Sequence, residues 1–143
     1  MTLGVINNTN LYGTGKYQIT ASYTSAANLE NVTLTSFGKT SRVFTWTVVN
    51  VYFPYNITNS YSGGTYTVSD ALKIQSNTNA PEGGDSGGCV ARITNNTTSP
   101  KQMTLAGITS MKAVTSSGQY YSYVSKASAI NSALGVTVVG GSN

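Results

Sequence analysis

The chain has 143 residues, of which only 8% are charged, and this is the size of one all-β domain able to bury a core of its own. Its net charge of +4 comes from 8 Lys and Arg spread singly against 4 acids; without a basic cluster or a recognisable nucleic-acid module, the composition argues against nucleic-acid binding. A single cysteine and the absence of histidine rule out an intrachain disulfide and leave any metal site without thiolate pairs or imidazoles, and no apolar run approaches the ~18 residues of a membrane-spanning helix.

The amino terminus has neither the basic nor the long apolar region of a signal peptide, so an exported protein would already have lost its leader. Residues 16–24, 31–37, 42–53, 64–76, 87–94, 102–110 and 119–125 are rich in Val, Ile, Thr, Tyr and Phe. Each is bounded by Gly, Asn, Ser or Pro, which predicts short antiparallel strands of a barrel or sandwich. Within 43–52 apolar and polar side chains partly alternate, as in a strand with one face toward a core. The polar run 94–101 reads as a surface loop between two strands. Cys89, just after a glycine-rich turn and before Val90, is expected to fill a small apolar slot in a strand rather than act as a reactive thiol.

Only residues 126–134 read as a helix. Ala127, Ile130 and Leu134 share a face, Ser125 can cap the start, and Gly135 can end it in a left-handed conformation. Residues 136–139 are apolar and β-branched, and the final Gly-Gly-Ser-Asn is expected to fray. Asn-x-Ser/Thr sequons start at Asn7, Asn31, Asn56, Asn95 and Asn96; they would suit an exported, glycosylated surface, although a chain so rich in Asn, Ser and Thr also produces them by chance.

The segment with most chemistry in it is Pro81-Glu82-Gly83-Gly84-Asp85-Ser86-Gly87-Gly88, followed by an apolar strand. As a pattern, Gly84-x-Ser86-x-Gly88 also matches the nucleophile elbow of α/β-hydrolases, but that elbow leads into a long helix and needs a histidine, and neither is here. A plainer reading is a permissive glycine loop. The local order favours a catalytic turn instead: Gly84 lets its own N–H and that of Ser86 point into one spot, which is the geometry of an oxyanion hole, while Gly87 and Gly88 leave the serine uncrowded.

On these residues the chain resembles the chymotrypsin-like serine peptidases, and within them the secreted bacterial, streptogrisin-like group. Gly38-Lys39-Thr40-Ser41 and the strand after it look like the opening of that family's second barrel. Leu72-Lys73-Ile74-Gln75-Ser76-Asn77 looks like the strand leading into the specificity pocket, and Leu105-Ala106-Gly107-Ile108-Thr109-Ser110 like the strand that pairs with substrate. Tyr120-Tyr121-Ser122-Tyr123-Val124, the helix and Gly135-Val136 resemble the carboxy-terminal strand, helix and tail. The resemblance implies an all-β, antiparallel six-stranded barrel with extra N-terminal strands and a short C-terminal helix: N-terminal strands or linker over 1–37, barrel and helix over 38–139, and a frayed tail over 140–143. It further implies Ser86 at the nucleophile position, the N–H groups of Gly84 and Ser86 as oxyanion donors, and Asp85 as a buried carboxylate that fixes the turn and needs a partner, for which Arg92 and Arg42 are the candidates. Ala80, Ser110, Met111 and Lys112 would line the substrate pocket.

Three departures bear on catalysis. Residues 1–37 are too few for the family's first barrel, which with its edge supplies the histidine and aspartate of the triad, and they contain neither. Met111 and Lys112 stand where small or aromatic residues usually leave room for substrate, and Ala80 stands where the family often has a cysteine. A Ser–Lys dyad would need Lys39, Lys73 or Lys112 within hydrogen-bond reach of Ser86.

Two functions follow as expectations: the nucleophile-bearing part of a secreted serine endopeptidase that is not competent alone, or a non-catalytic protease-fold subunit of a surface, filament or capsid, or a binding protein. Both predict a partner, either a second copy or a histidine-bearing chain, because an isolated second barrel would expose an apolar flank unless the first 37 residues cover it as extra strands. No cofactor is implied, and the location expected is extracellular or at the cell surface.

Overall fold

The computed structural model describes residues 5–7, 16–40, 42–58, 61–78, 82–114 and 117–136. In chain order the elements are β1 (Val5–Asn7), β2 (Lys16–Ser22), β3 (Thr33–Gly38), β4 (Arg42–Thr58), β5 (Thr65–Ser76), β6 (Cys89–Asn95), β7 (Lys101–Val114), β8 (Tyr120–Lys126) and α1 (Ala127–Leu134). All strands join one sheet in the order β1-β2-β7-β6-β3-β4-β5-β8, and a further pairing of β7 with β8 closes β3 to β8 into a barrel. Every pairing within the barrel is antiparallel. The fold is therefore the antiparallel six-stranded barrel expected above, with extra strands before it and a short helix after it.

Strand β7 makes the closure possible by changing partners along its length. Its first half lies between β6 and the parallel strand β2, which pairs from Tyr17↔Lys101 to Ser22↔Leu105, and its second half pairs with β8 from Gly107↔Lys126 to Val114↔Tyr120. β4 and β7 run on past residues 53 and 110, where the sequence pattern ends them. In β4 the pairing with β5 survives Pro54 because register shifts flank that stretch, and proline is tolerated at bulges and strand edges. β1 lies outside the segments that the composition marks as strands.

The barrel interior is filled by Leu34, Trp46, Val48, Val51, Leu72, Ile74, Val90, Ala106 and Val124, with Ala26 and Leu29 closing one end. The buried indole N–H of Trp46 donates to Ser36 Oγ at 2.7 Å, which satisfies the one polar atom of that ring. A second cluster lies on the outside of the barrel, where β2 contributes Tyr17 and Ile19 and the helix Ala127, packed on Phe37, Ala91, Met103 and Leu105. The Tyr17 and Phe37 rings meet edge to face with centroids 5.0 Å apart. Residues of the N-terminal segment thus cover an apolar flank of the barrel as added strands.

The helix differs from expectation at its start and along its face. Its N-cap is Lys126 rather than Ser125 and makes no side-chain cap bond, because a lysine ammonium has no acceptor to offer the helix N–H groups; the Lys126 side chain is buried instead, with its ammonium paired to Asp70 and 4.2 Å from the Tyr52 ring centroid. Of the three apolar residues on one face only Ala127 is buried, and Leu134 is 69% exposed, since just the first turn rests on the barrel. Gly135 ends the helix in the left-handed region, as expected. Among the described residues no helix is long and apolar enough to cross a membrane.

Candidate active site

The chain enters β6 through two consecutive β-turns. The Asp85 N–H donates to the Glu82 carbonyl at 3.1 Å, and the Gly88 N–H donates to the Asp85 carbonyl at 2.9 Å. The third residue of each turn is a glycine with positive φ, 102° at Gly84 and 83° at Gly87, the conformation that a type II turn demands there. A Cβ at Gly84 would also meet Thr40 Oγ1 at 2.7 Å. Ser86 sits between the two glycines and is exposed.

Asp85 is 4% exposed and pins this double turn. Its Oδ1 accepts from the Thr40 N–H at 2.8 Å and its Oδ2 from the Glu82 N–H at 2.9 Å, while the Thr40 hydroxyl donates to the Gly83 carbonyl at 2.8 Å. Backbone N–H groups bonded to a carboxylate are charge-assisted donors, and they supply part of what burial of the charge requires. Arg92, one of the two cations expected to fill this role, is instead exposed and lines a surface cavity of about 450 Å³ with Asn31, Thr35 and Thr45, and makes no ion pair among the described residues. Arg42 opens β4, and its side chain lies outside the described residues.

Backbone bonds also fasten the turn to β7. Gly87 N–H donates to the Thr109 carbonyl at 2.9 Å and Thr109 N–H to the Gly88 carbonyl at 2.8 Å; a Cβ on Gly88 would run into the Phe37 carbonyl oxygen, so this approach needs glycine. The β6–β7 ladder stops at Cys89↔Ile108, whereas β8 continues along the other side of β7 to Val114. Beyond Thr109, therefore, β7 offers a strand edge that has no partner strand among the described residues. It begins at Ser110, next to the turn that presents Ser86.

The N–H groups of Gly84 and Ser86 have no acceptor among the described residues. No side chain hydrogen-bonds to Ser86 among those residues either. Lys73, one of the lysines considered as a base, has its ammonium 4.6 Å from the Phe53 ring centroid and 4.3 Å from that of Tyr121. Cys89, half-buried at the start of β6, packs against the outer cluster, and burial pushes its thiol up to about 12.

Ala80 lies outside the described residues. Met111 and Lys112 belong to β7, paired with Tyr123 and Ser122, and their side chains are likewise outside the description. Of the sequons, Asn31 is exposed in a turn with φ 63°, Asn56 accepts from the Thr67 hydroxyl at 2.8 Å, and Asn95 accepts from Thr97 N and Oγ1 at 3.0 and 2.8 Å. Asn96 is exposed, and Asn7 is described only by its backbone pairing with Lys16. Two site residues escape sequence reasoning: Thr40, which ties the β3–β4 turn to Asp85, and Thr109, which holds Gly87 and Gly88. Neither carries a local signature, because Thr109 acts through its backbone, and Thr40 acts through its N–H and hydroxyl on residues far away in sequence.

No protein-family model matches the chain, and no curated protein matches it. Solved structures do. A glutamic acid-specific serine protease that uses a novel histidine triad in substrate binding superimposes with a TM-score of 0.59 and 23% identity, over 90% of this chain and 58% of that one. A chymotrypsin from Cellulomonas bogoriensis matches with a TM-score of 0.63 and 20% identity, over 92% and 61%. The fold is that of the chymotrypsin-like serine proteases. Protease A of Thermobifida fusca agrees, with a TM-score of 0.62 and 21% identity over 96% and 61%. The chain thus spans 58%, 61% and 61% of the length of these proteins.

Proposed function

We propose that this chain is the nucleophile-bearing part of an extracellular, trypsin-like serine endopeptidase, completed by a histidine-bearing partner. The observation that carries this reading is the double turn itself: an exposed serine held between two positive-φ glycines, over a buried carboxylate bonded to backbone, at the start of a strand edge that has no partner strand among the described residues. An extended peptide added to that edge would bring a carbonyl carbon to Ser86. Ser86 Oγ attacks that carbon, its proton passes to the partner's imidazole, and the carbonyl oxygen gathers negative charge against the N–H groups of Gly84 and Ser86; the C–N bond then breaks as the imidazolium protonates the leaving amine, and a water deprotonated by the same imidazole releases the acyl group from Ser86 as a carboxylate. With no histidine in its sequence, the chain alone would be left with little beyond oxyanion stabilisation.

A second reading, a non-catalytic protease-fold subunit that works in assembly or binding, draws on a different observation. β2 and α1 already cover the outer flank with Tyr17, Ile19 and Ala127, so this chain supplies for its barrel some of the cover that a partner would otherwise provide. A fluorophosphonate probe separates the two readings when applied to protein purified from its native source, with Ser86→Ala as control. The peptidase reading expects labelling at Ser86 in the native assembly, together with a co-purifying histidine-bearing chain, and labelling of the isolated chain slower by about a thousandfold or more. An unlabelled native assembly with its fold intact leaves the non-catalytic reading.

A further inference from the structure

We infer that Tyr55 is a positioning residue for the peptide-binding edge of β7 and acts through the hydroxyl of Ser110; the inference rests on the peptide-edge reading given above. β5 pairs with β8 only between Ala71↔Ser125 and Ser76↔Tyr120, whereas its pairing with β4 continues through Tyr55↔Val68 to Thr58↔Thr65. The outer part of the β4–β5 hairpin has therefore left the barrel wall. Yet Tyr55, on that outer part, is only 8% exposed. Its ring stacks on Tyr123 with centroids 5.0 Å apart and an interplanar angle of 17°, Tyr123 stacks in turn on Phe53 at 5.2 Å and 8°, and the Tyr55 hydroxyl donates to Ser110 Oγ at 2.7 Å. In the sheet β4 is separated from β7 by β5 and β8, so this hydrogen bond exists only because the hairpin folds back across β8.

The bond falls where the edge is least constrained by its own ladder. The pairing of β7 with β8 shifts register between Thr109 and Met111, and the β6 ladder has ended at Ile108. A bulge bends its strand, so a residue within it takes its direction from whatever else holds it. At Ser110 that is Tyr55. The tether is itself anchored, because the buried ammonium of Lys126 joins Asp70 on β5 to the Tyr52 ring on β4 near the foot of the hairpin. A peptide paired to the edge is bound through backbone hydrogen bonds, whose strength falls steeply with misalignment. The Tyr55 hydroxyl would thus set peptide affinity without touching the peptide.

The test uses the intact chain and acetyl-tetra-alanine-amide, a probe that has little beyond a backbone to offer, with binding followed through the backbone amide shifts of residues 110–114. Wild-type protein is expected to bind. Tyr55→Phe, which keeps the ring stack and removes one hydroxyl, should weaken binding about five- to tenfold, roughly the worth of one hydrogen bond. Ser110→Ala should weaken it by a similar factor, and the double substitution should be no worse than either single one, as expected of two groups that act as a unit. The thermal midpoint of Tyr55→Phe serves as the structural control and should move little. Binding by Tyr55→Phe within twofold of wild type, or single effects that multiply in the double variant, would overturn the role of Tyr55 alone. If wild-type protein does not bind, the peptide-edge reading fails and the inference falls with it.

Discussion

The serine turn and the β4–β5 hairpin flank the same strand edge and are held in place by opposite means. The turn is built from backbone: N–H groups of Thr40 and Glu82 on one carboxylate, N–H groups of Asp85, Gly87 and Gly88 on carbonyls, and glycines where no Cβ is allowed. The hairpin is built from side chains: three stacked rings, a phenol on a serine, and a buried ammonium bonded to a carboxylate and lying against a ring. A backbone-built site depends on a few irreplaceable residues and is otherwise indifferent to its neighbours. A side-chain-built one spreads the dependence and admits conservative exchange.

The sharpest way to break that contrast is at the two carboxylates. Asp85→Ala deprives two backbone N–H groups of their acceptor in a buried setting, and about 3 kcal/mol of stability should be lost in a denaturant titration, along with any reactivity at Ser86. Gly84→Ala, which forces a side chain onto φ 102° against Thr40 Oγ1, should cost about 2 kcal/mol by the same measurement. On the hairpin side, Asp70→Asn should cost only about 1 kcal/mol, because Asp70 is 49% exposed and water can partly replace it at the ammonium. Adding Lys126→Met to that variant should restore most of the loss, since an apolar side chain of similar length suits a buried position. An Asp85→Ala variant as stable as wild type would erase the distinction.

A further effect, confined to alkaline pH, concerns Cys89. Its thiol stays protonated in the folded protein up to about 12, against an ordinary value of 9.0, so a thiol reagent at pH 8 should modify the unfolded chain and leave the folded one untouched. Because the unfolded state releases this proton first, the contribution is fully present below pH 9 and declines as the pH rises toward 12, by about 1.4 kcal/mol per pH unit. Cys89→Ser should abolish that alkaline decline if Cys89 is its source.

How much of the site could be read in advance follows from the same contrast. Gly84, Asp85, Ser86, Gly87 and Gly88 are contiguous, and residues that shape one turn leave a local pattern. The requirement that Asp85 find a partner was also legible, but the backbone N–H of Thr40, 45 residues away in sequence, was not. Tyr55 and Ser110 are 55 residues apart, and Lys126 and Asp70 are 56 apart. Neither pair has any spacing that periodicity could detect. Ser125 has the residue type of a helix cap, yet the N-cap position falls one residue later, on the buried Lys126 paired to Asp70.

By itself the sequence determined that the chain would be built of β-strands, that Ser86 would sit in a glycine-walled turn, and that no imidazole in this chain could activate it, because propensity, turn chemistry and residue identity are local properties. Only the tertiary structure decided that β2 would cover the flank of the barrel, that β7 would have no partner strand beside Ser86 among the described residues, and that Tyr55 would reach across β8 to Ser110. Those outcomes depend on how a closed barrel shares the edges and faces of its strands, and that sharing is settled only when distant parts of the chain compete for the same surface.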